Sequence, residues 1–183
     1  MRVITGTARG KRLVTREGGA VRPTPERVKE ALFSIIQFEI EGRRVLDLFA
    51  GSGQLGIEAL SRGAREAVFV DSSRESAEVV RKNVVSCGLE ACARVENMDF
   101  AAFLIRAEKP FDIAFLDPPY RTGLLQQALP LVASHMNAGG TIFCENPADE
   151  EMPEQAGEFC CTRSYRYGKI RLTIYRRKDG NAE

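Results

Sequence analysis

The sequence is poor in the residues that build metal centres and disulfide frameworks. It has a single histidine and five cysteines, an odd number, and no two cysteines form a CxxC pair. Such a pattern indicates free thiols in a reducing compartment, not disulfides or a metal-ligand cluster. We therefore expect neither a metal site nor a disulfide-stabilised secreted fold.

Long apolar stretches are also missing. Nowhere do about 18 apolar residues follow one another, which is the length that a membrane-spanning helix needs. The first residues, Met1 to Arg12, lack the apolar segment of a signal peptide. These absences argue against a membrane or secreted protein, and we expect a cytoplasmic location with no membrane partner.

The net charge is small, but the charges are unevenly distributed. The total of 26 Lys and Arg against 25 Asp and Glu gives +1, which by itself indicates no nucleic-acid partner. Residues 1–30 contain eight basic and three acidic side chains, and residues 163–178 contain seven basic and none acidic. Residues 31–162 contain eleven basic and twenty acidic side chains. Both ends of the chain are therefore basic.

Apolar runs and helical patterns alternate through the middle of the 183-residue chain. Continuous apolar runs, which suit strands buried on both faces of a parallel sheet, occupy Val45–Phe49, Ala67–Val70, Ile113–Leu116 and Thr141–Cys144. Amphipathic helical segments lie between them. This alternation predicts one α/β domain with a mostly parallel, doubly wound sheet and helices on both faces.

The two ends of the chain differ from this middle. Arg2–Thr15 is typical of a short basic hairpin, and a helix is expected to start at Thr24 with Pro25 in its first position. Near the other end, Phe159–Tyr165 and Lys169–Arg177 predict an antiparallel hairpin. Within a single domain of residues 1–183, we therefore expect residues 1–40 to form an extension that binds RNA or covers a cofactor, and residues 41–178 to form a Rossmann-like catalytic core.

A glycine-rich motif follows the first predicted strand. Gly51, Gly53 and Gly56 satisfy G-x-G-x-x-G, and Asp71 follows Gly51 by 20 residues, as in dinucleotide-binding proteins. Asp47 argues against a dinucleotide, because a carboxylate there would repel a pyrophosphate. The same carboxylate would attract the ammonium and sulfonium groups of S-adenosylmethionine. We favour that cofactor, and a dinucleotide-dependent oxidoreductase remains an alternative.

A second motif, Asp117-Pro118-Pro119-Tyr120, follows another predicted strand directly. The two prolines remove backbone donors, so a carboxylate and carbonyls are left as hydrogen-bond acceptors beside an aromatic ring. Such a pocket suits the exocyclic amino group of a nucleobase, with the two N–H bonds donated to Asp117 and Pro118 and with Tyr120 stacked on the base.

Together the two motifs resemble those of the S-adenosylmethionine-dependent amino-methyltransferases, whose seven-stranded Rossmann-like sheet ends in an antiparallel hairpin. Three further segments narrow the resemblance: Arg22–Phe33, Gly51–Ala64 and Tyr167–Arg171. They resemble segments of the bacterial 16S ribosomal RNA guanine-N2 methyltransferases of the RsmD type, and the similarity covers nearly the whole chain. Gln54 departs from the small residue expected in this family.

The resemblance implies roles for individual residues. Asp99 would accept from the cofactor adenine, although an Asp before Phe100 could equally be a helix N-cap. The residues implied in cofactor binding are Asp47, Gly51, Ser52, Gly53, Asp71, Met98, Asp99 and Phe100. The catalytic residues would be Asp117, Pro118 and Tyr120. The basic ends predict contacts with the substrate RNA by Arg9, Lys11, Arg12, Arg22, Thr24, Arg27, Arg166 and Lys169.

The implied reaction is methyl transfer to N2 of a guanine in 16S ribosomal RNA. The RNA would be part of a small subunit or an assembly intermediate. We expect the enzyme to act as a monomer and to need no metal. Two further alternatives remain open. The same pocket could methylate N6 of adenine in DNA or RNA, or the chain could be a non-catalytic RNA-binding subunit.

Overall fold

The computed structural model describes residues 1–15 and 26–177, which build five α-helices around one eight-stranded sheet. The helices are α1 (Glu26–Ile35), α2 (Gln54–Ser61), α3 (Arg74–Cys87), α4 (Phe100–Arg106) and α5 (Leu124–Ala133). The strands are β1 (Arg44–Leu48), β2 (Glu66–Asp71), β3 (Ala93–Asn97), β4 (Phe111–Leu116), β5 (Met136–Pro147), β6 (Gln155–Ala156), β7 (Phe159–Tyr167) and β8 (Ile170–Arg177). None of these helices is long and apolar enough to cross a bilayer.

The strand order confirms the doubly wound α/β prediction. The sheet reads β3-β2-β1-β4-β5-β8-β7-β6, with the first five strands parallel and β8 antiparallel to β5. Seven strands have five or more residues, and β6 adds a two-residue edge. Since β1 pairs with both β2 and β4, the chain order reverses at β1, and the carboxyl ends of β1 and β4 flank the crevice where ligands bind in such folds.

Alternating side chains of the central strands enter two separate cores. Val45, Phe69 and Phe115 pack with α1, α2, α3 and the amino-terminal hairpin. Leu46 and Leu116 face the other way and pack with α4 and α5. Because both faces are covered, the central strands are continuous apolar runs in the sequence.

Local sequence signals set the ends of α3. The hydroxyl oxygen of Ser73 accepts from the backbone N–H of Ser76, and Gly88 ends the helix with a left-handed φ of 71°. The predicted helix start at Thr24 and Pro25 lies outside the described residues, and α1 is described from Glu26.

The amino-terminal hairpin closes with a bridge between Arg2 and Arg12 and is attached to the core through polar side chains. Both oxygens of Glu58 accept from backbone N–H groups of the hairpin, those of Ile4 and Thr5. Asn83 of α3 exchanges two hydrogen bonds with the backbone of Val14. The hairpin is therefore fixed to α2 and α3.

A buried ion pair lies beneath the hairpin. The Nζ atom of Lys29 lies 3.2 Å from Oε2 of Glu58, and both side chains are fully buried. Lys29 also donates to the carbonyl of Arg2, and Arg62 donates to Oε1 of Glu58. Burial lowers the pKa of Lys29, although the neighbouring Glu58 opposes that shift. These contacts join α1, α2 and the hairpin.

Candidate active site

A cavity of about 470 Å³ opens at the carboxyl edge of the parallel strands. The elements that surround it are the turns after β1, β2, β3 and β4, because parallel strands end at a common edge. Its lining residues are Phe49, Gly51, Val70, Asp71, Ser72, Ser73, Ser76, Met98, Asp99, Phe100, Asp117, Pro118, Pro119, Tyr120 and Leu124. The structure thus brings the two sequence motifs to one site.

Asp71 organises the turns on its side of the cavity. Its Oδ2 atom accepts from the backbone N–H of Gly51 at 2.9 Å, and Oδ1 accepts from that of Ser73 at 2.8 Å. Asn97 supports the same turn by donating to the carbonyls of Asp71 and Ser72. Asp71, which the resemblance implies in cofactor binding, is therefore held in place at the cavity wall by both of its carboxylate oxygens.

The first acid of the glycine motif lies below the cavity and does not line it. Asp47 is 3% exposed, and its Oδ2 atom accepts from the backbone N–H of Gly56 at 2.9 Å. Ser52 and Gly53 are likewise absent from the cavity lining. Of the eight predicted cofactor residues, Gly51, Asp71, Met98, Asp99 and Phe100 do line it.

Both interpretations of Asp99 fit the geometry. Its Oδ1 atom accepts from the backbone N–H groups of Ala101 and Ala102, which makes it the N-cap of α4. It also lines the cavity between Met98 and Phe100, and Phe100 packs against Phe49 with ring centroids 5.4 Å apart. This end of the cavity can hold a flat ring between apolar side chains, with an acid at its edge.

The Asp-Pro-Pro-Tyr motif forms the opposite wall, directly after β4. Asp117, Pro118 and Tyr120 all line the cavity, as do Pro119 and Leu124. The hydroxyl of Tyr120 donates to Oε1 of Glu145 at 2.8 Å. The three predicted catalytic residues are therefore brought together beside the predicted cofactor residues.

The predicted RNA-contacting residues that the structure describes are all exposed: Arg9, Lys11, Arg12, Arg27, Arg166 and Lys169. Arg22 and Thr24 lie outside the described residues. The guanidinium of Arg27 lies 5.8 Å from the ring centroid of Tyr167, so the two basic ends of the chain meet. Because Ile170 pairs with Pro147 at the carboxyl end of β5, the turn that carries Lys169 lies at the cavity's edge of the sheet.

The sequence-based reasoning missed several residues of the site. Phe49 adopts a left-handed φ of 71°, which no sequence pattern signals. Ser73 and Ser76 belong to the cap of α3 and also line the cavity. Glu145 was detectable, since it follows an apolar strand run at the same edge, as Asp71 and Asp117 do.

The strand order, and the cavity at the point where the chain order reverses, define the class of the protein. It has the Rossmann-like α/β fold of methyltransferases. The chain belongs to the family described as conserved hypothetical protein 95, whose model matches residues 1–176. It is 38% identical over 183 residues to YlbH of Bacillus subtilis, covering 97% of this chain and 100% of that relative.

A further relative has a functional name. The chain is 33% identical over 181 residues to ribosomal RNA small subunit methyltransferase D of Escherichia coli, covering 97% of this chain and 90% of that protein. The solved structure of yhhF from Escherichia coli superposes with a TM-score of 0.85 at 34% identity and covers 97% of each chain. These matches confirm the resemblance to the RsmD type that the motifs indicate.

Proposed function

We propose that this protein transfers a methyl group from S-adenosylmethionine to the N2 amino group of a guanine in 16S ribosomal RNA. The observation that carries the proposal is that Asp117, Pro118 and Tyr120 line one cavity together with Asp71 and Asp99. The match to ribosomal RNA small subunit methyltransferase D supports the choice of substrate.

The charge of the cavity suits this cofactor. Three carboxylates line it, those of Asp71, Asp99 and Asp117, and among the described residues no Lys, Arg or His does. When bound, S-adenosylmethionine supplies an electrophilic methyl group on a cationic sulfur. Acidic walls attract its positive groups, whereas they would repel the pyrophosphate of a dinucleotide. The cavity therefore favours a methyltransferase over a dinucleotide-dependent oxidoreductase.

The wall after β4 can orient a guanine amino group. Its two N–H bonds would be donated to the carboxylate of Asp117 and the carbonyl of Pro118, while the ring of Tyr120 stacks on the base. This arrangement directs the nitrogen lone pair toward the methyl group, and alignment of this kind accelerates transfer. The Asp117 carboxylate also stabilises the positive charge that develops on nitrogen, and this charge is lost when the amino group releases one proton to solvent after transfer.

The base must leave its stack to enter the cavity. Unpaired loops release a base at the lowest cost, so we propose a loop of the folded RNA as the target, within the small subunit or an assembly intermediate. We propose that Lys169, Arg27 and Arg166 bind the flanking phosphates, since all three are exposed and Arg27 lies beside Tyr167.

The direct test is to incubate the protein and methyl-labelled S-adenosylmethionine with unmodified small subunits, free 16S RNA or DNA, and then to digest the product to nucleosides. We expect labelled N2-methylguanosine from small subunits or their RNA. Labelled N6-methyladenosine, or label in DNA alone, would overturn the assignment to guanine. Protection from heat by NAD(P) instead of S-adenosylhomocysteine would overturn the methyltransferase assignment.

A matched pair of variants shows whether this cavity performs the transfer. Asp117→Ala removes the acceptor carboxylate at the carboxyl end of β4. Glu108→Ala removes an exposed carboxylate just before the amino end of the same strand. Labelling should disappear in the first variant and persist in the second.

A further inference from the structure

The hydroxyl of Tyr120 is bonded to a carboxylate that neither motif contains. It donates to Oε1 of Glu145 at 2.8 Å. The two ends of this bond differ in exposure, since Tyr120 is 39% exposed and Glu145 is 6% exposed. The bond therefore ties a solvent-accessible ring at the cavity to a group inside the protein.

Glu145 lies on a strand that is paired on both sides. The parallel pairing of β4 with β5 reaches Leu116 and Cys144, so Asp117 and Glu145 follow as neighbours at the carboxyl edge. On its other side, β5 pairs with β8, and Glu145 lies opposite Leu172. With neighbours on both sides, the backbone of Glu145 provides a fixed point beside the cavity.

Tyr120, by contrast, lies in the exposed connection between β4 and α5. That connection contains two residues with left-handed φ angles, Arg121 at 61° and Gly123 at 73°. The prolines Pro118 and Pro119 restrict the backbone that precedes the ring. The bond to Glu145 restricts the far end of the ring, at its hydroxyl.

We infer that Glu145 is a positioning residue that holds the ring of Tyr120 in the orientation needed to stack on the acceptor base. This inference rests on the proposed function, because it assigns Glu145 to the same nucleobase pocket. A hydrogen bond at the hydroxyl favours one orientation of the ring over others, and base stacking depends on the angle and distance of the ring. Glu145 acts through Tyr120 and need not touch the RNA.

The test is a double-mutant cycle between the two partners, measured as kcat/KM for transfer to small-subunit RNA. Glu145→Ala removes the acceptor, and we expect a loss of about tenfold, the upper range for a single intramolecular hydrogen bond. Tyr120→Phe removes the hydroxyl and keeps the ring, and it should lose a similar factor. Glu145→Ala made in the Tyr120→Phe background should then cost little more.

The conservative variant separates positioning from general structural damage. Glu145→Gln retains an oxygen that can accept from the tyrosine hydroxyl, so it should stay within about threefold of the original protein. The affinity for S-adenosylhomocysteine should be unchanged in every variant. Equal losses in Glu145→Gln and Glu145→Ala, or fully multiplicative losses in the double variant, would overturn the inference.

A second readout does not depend on the substrate. The chain has four tyrosines, so ring-labelled tyrosine gives few nuclear magnetic resonance signals, and Tyr120→Phe identifies that of Tyr120. This signal should move toward the position of an unrestrained tyrosine in Glu145→Ala and stay in place in Glu145→Gln. An unmoved signal in Glu145→Ala would overturn the inference even if the protein methylates a different amino group. If Glu145→Ala does not fold, the test rests on Tyr120→Phe. The inference then requires that this variant lose about tenfold in kcat/KM, and an unchanged kcat/KM would overturn it.

Discussion

The carboxylate of Asp47 binds the backbone N–H of Gly56 inside the protein, with 2.9 Å between Oδ2 and the nitrogen. Burial raises the pKa of Asp47 from its ordinary 3.8 to about 7. The bond from Gly56 opposes this shift, and the nearby charge of Asp71 adds to it. The folded protein thus favours the protonated acid far more than the unfolded chain does.

This difference makes stability depend on pH. A raised pKa in the folded state gives a stabilising contribution that is complete below about pH 4 and is lost as pH rises through about 7. Unfolding of the original protein and of Asp47→Asn should be compared in urea at pH 5 and pH 8. The quantity to compare is the free energy of unfolding of Asp47→Asn minus that of the original protein. This difference should be about 2 to 3 kcal/mol higher at pH 8 than at pH 5, because the original protein loses its stabilising contribution as the pH rises. An identical difference at both would contradict the assigned pKa.

Gly56 lies where no side chain fits. A Cβ atom there would be 2.3 Å from Cε1 of the buried Phe69, so α2 could not pack as closely on β2. We expect Gly56→Ala to lower the free energy of unfolding by about 1 to 3 kcal/mol, as overpacked cores do. Gly139→Ala is the control, because a Cβ at that position meets nothing within 4 Å. Adding Phe69→Leu should cancel part of the loss, and additive losses would count against a clash.

Asp117 should be needed for transfer and not for binding of the cofactor. In Asp117→Ala the pocket loses the carboxylate that orients the amino group, while Asp71 and Asp99 remain. We expect no detectable turnover, with an affinity for S-adenosylhomocysteine close to that of the original protein by calorimetry. Loss of that affinity together with activity would assign Asp117 to the cofactor instead.

Lys169 should bind RNA through phosphate. Lys169→Ala should weaken binding to all RNA sequences alike and lower the slope of log affinity against log salt by about 1. The control is Lys109→Ala, another exposed lysine, which lies just before the amino end of β4. A salt slope that falls equally in both variants would show that the effect is one of total charge and not of position.

Glu58 should be among the residues most important for stability. Its replacement by leucine leaves the buried Lys29 without its carboxylate partner, and the N–H groups of Ile4 and Thr5 lose their acceptor. Breaking a buried pair in this way costs about 3 to 5 kcal/mol. Glu58→Gln keeps an oxygen acceptor and should cost less. Chemical unfolding measures both, and equal losses would mean that the hydrogen bonds to the hairpin contribute little.

The sequence predicted the elements that are buried on both faces. Val45–Phe49 and Ile113–Leu116 correspond to β1 and β4 because a strand covered on both sides must be apolar throughout. By the same logic, Thr141–Cys144 marks only the centre of β5, which runs from Met136 to Pro147. Its amino end carries no apolar signal since Asn137, Ala138 and Gly139 are exposed.

The site was predicted less completely, for physical reasons. Asp71 and Asp117 could be placed because each follows an apolar run at a common edge. Whether Asp47 points into the cavity or below it depends on the direction of a single side chain, which a motif does not determine. The contact between Tyr120 and Glu145 joins residues 25 apart in the sequence, and it becomes visible only once β4 and β5 pair.

The attachment of the amino-terminal hairpin also constrains the order in which the chain folds. Ala8 is bonded to Ser61 and Val14 to Asn83, which are separations of 53 and 69 residues. During synthesis the hairpin emerges before α2 and α3, and it reaches its final contacts only after they have emerged. Contacts so distant along the chain form late and slow folding. The hairpin should therefore be among the last parts of this domain to become protected from hydrogen exchange.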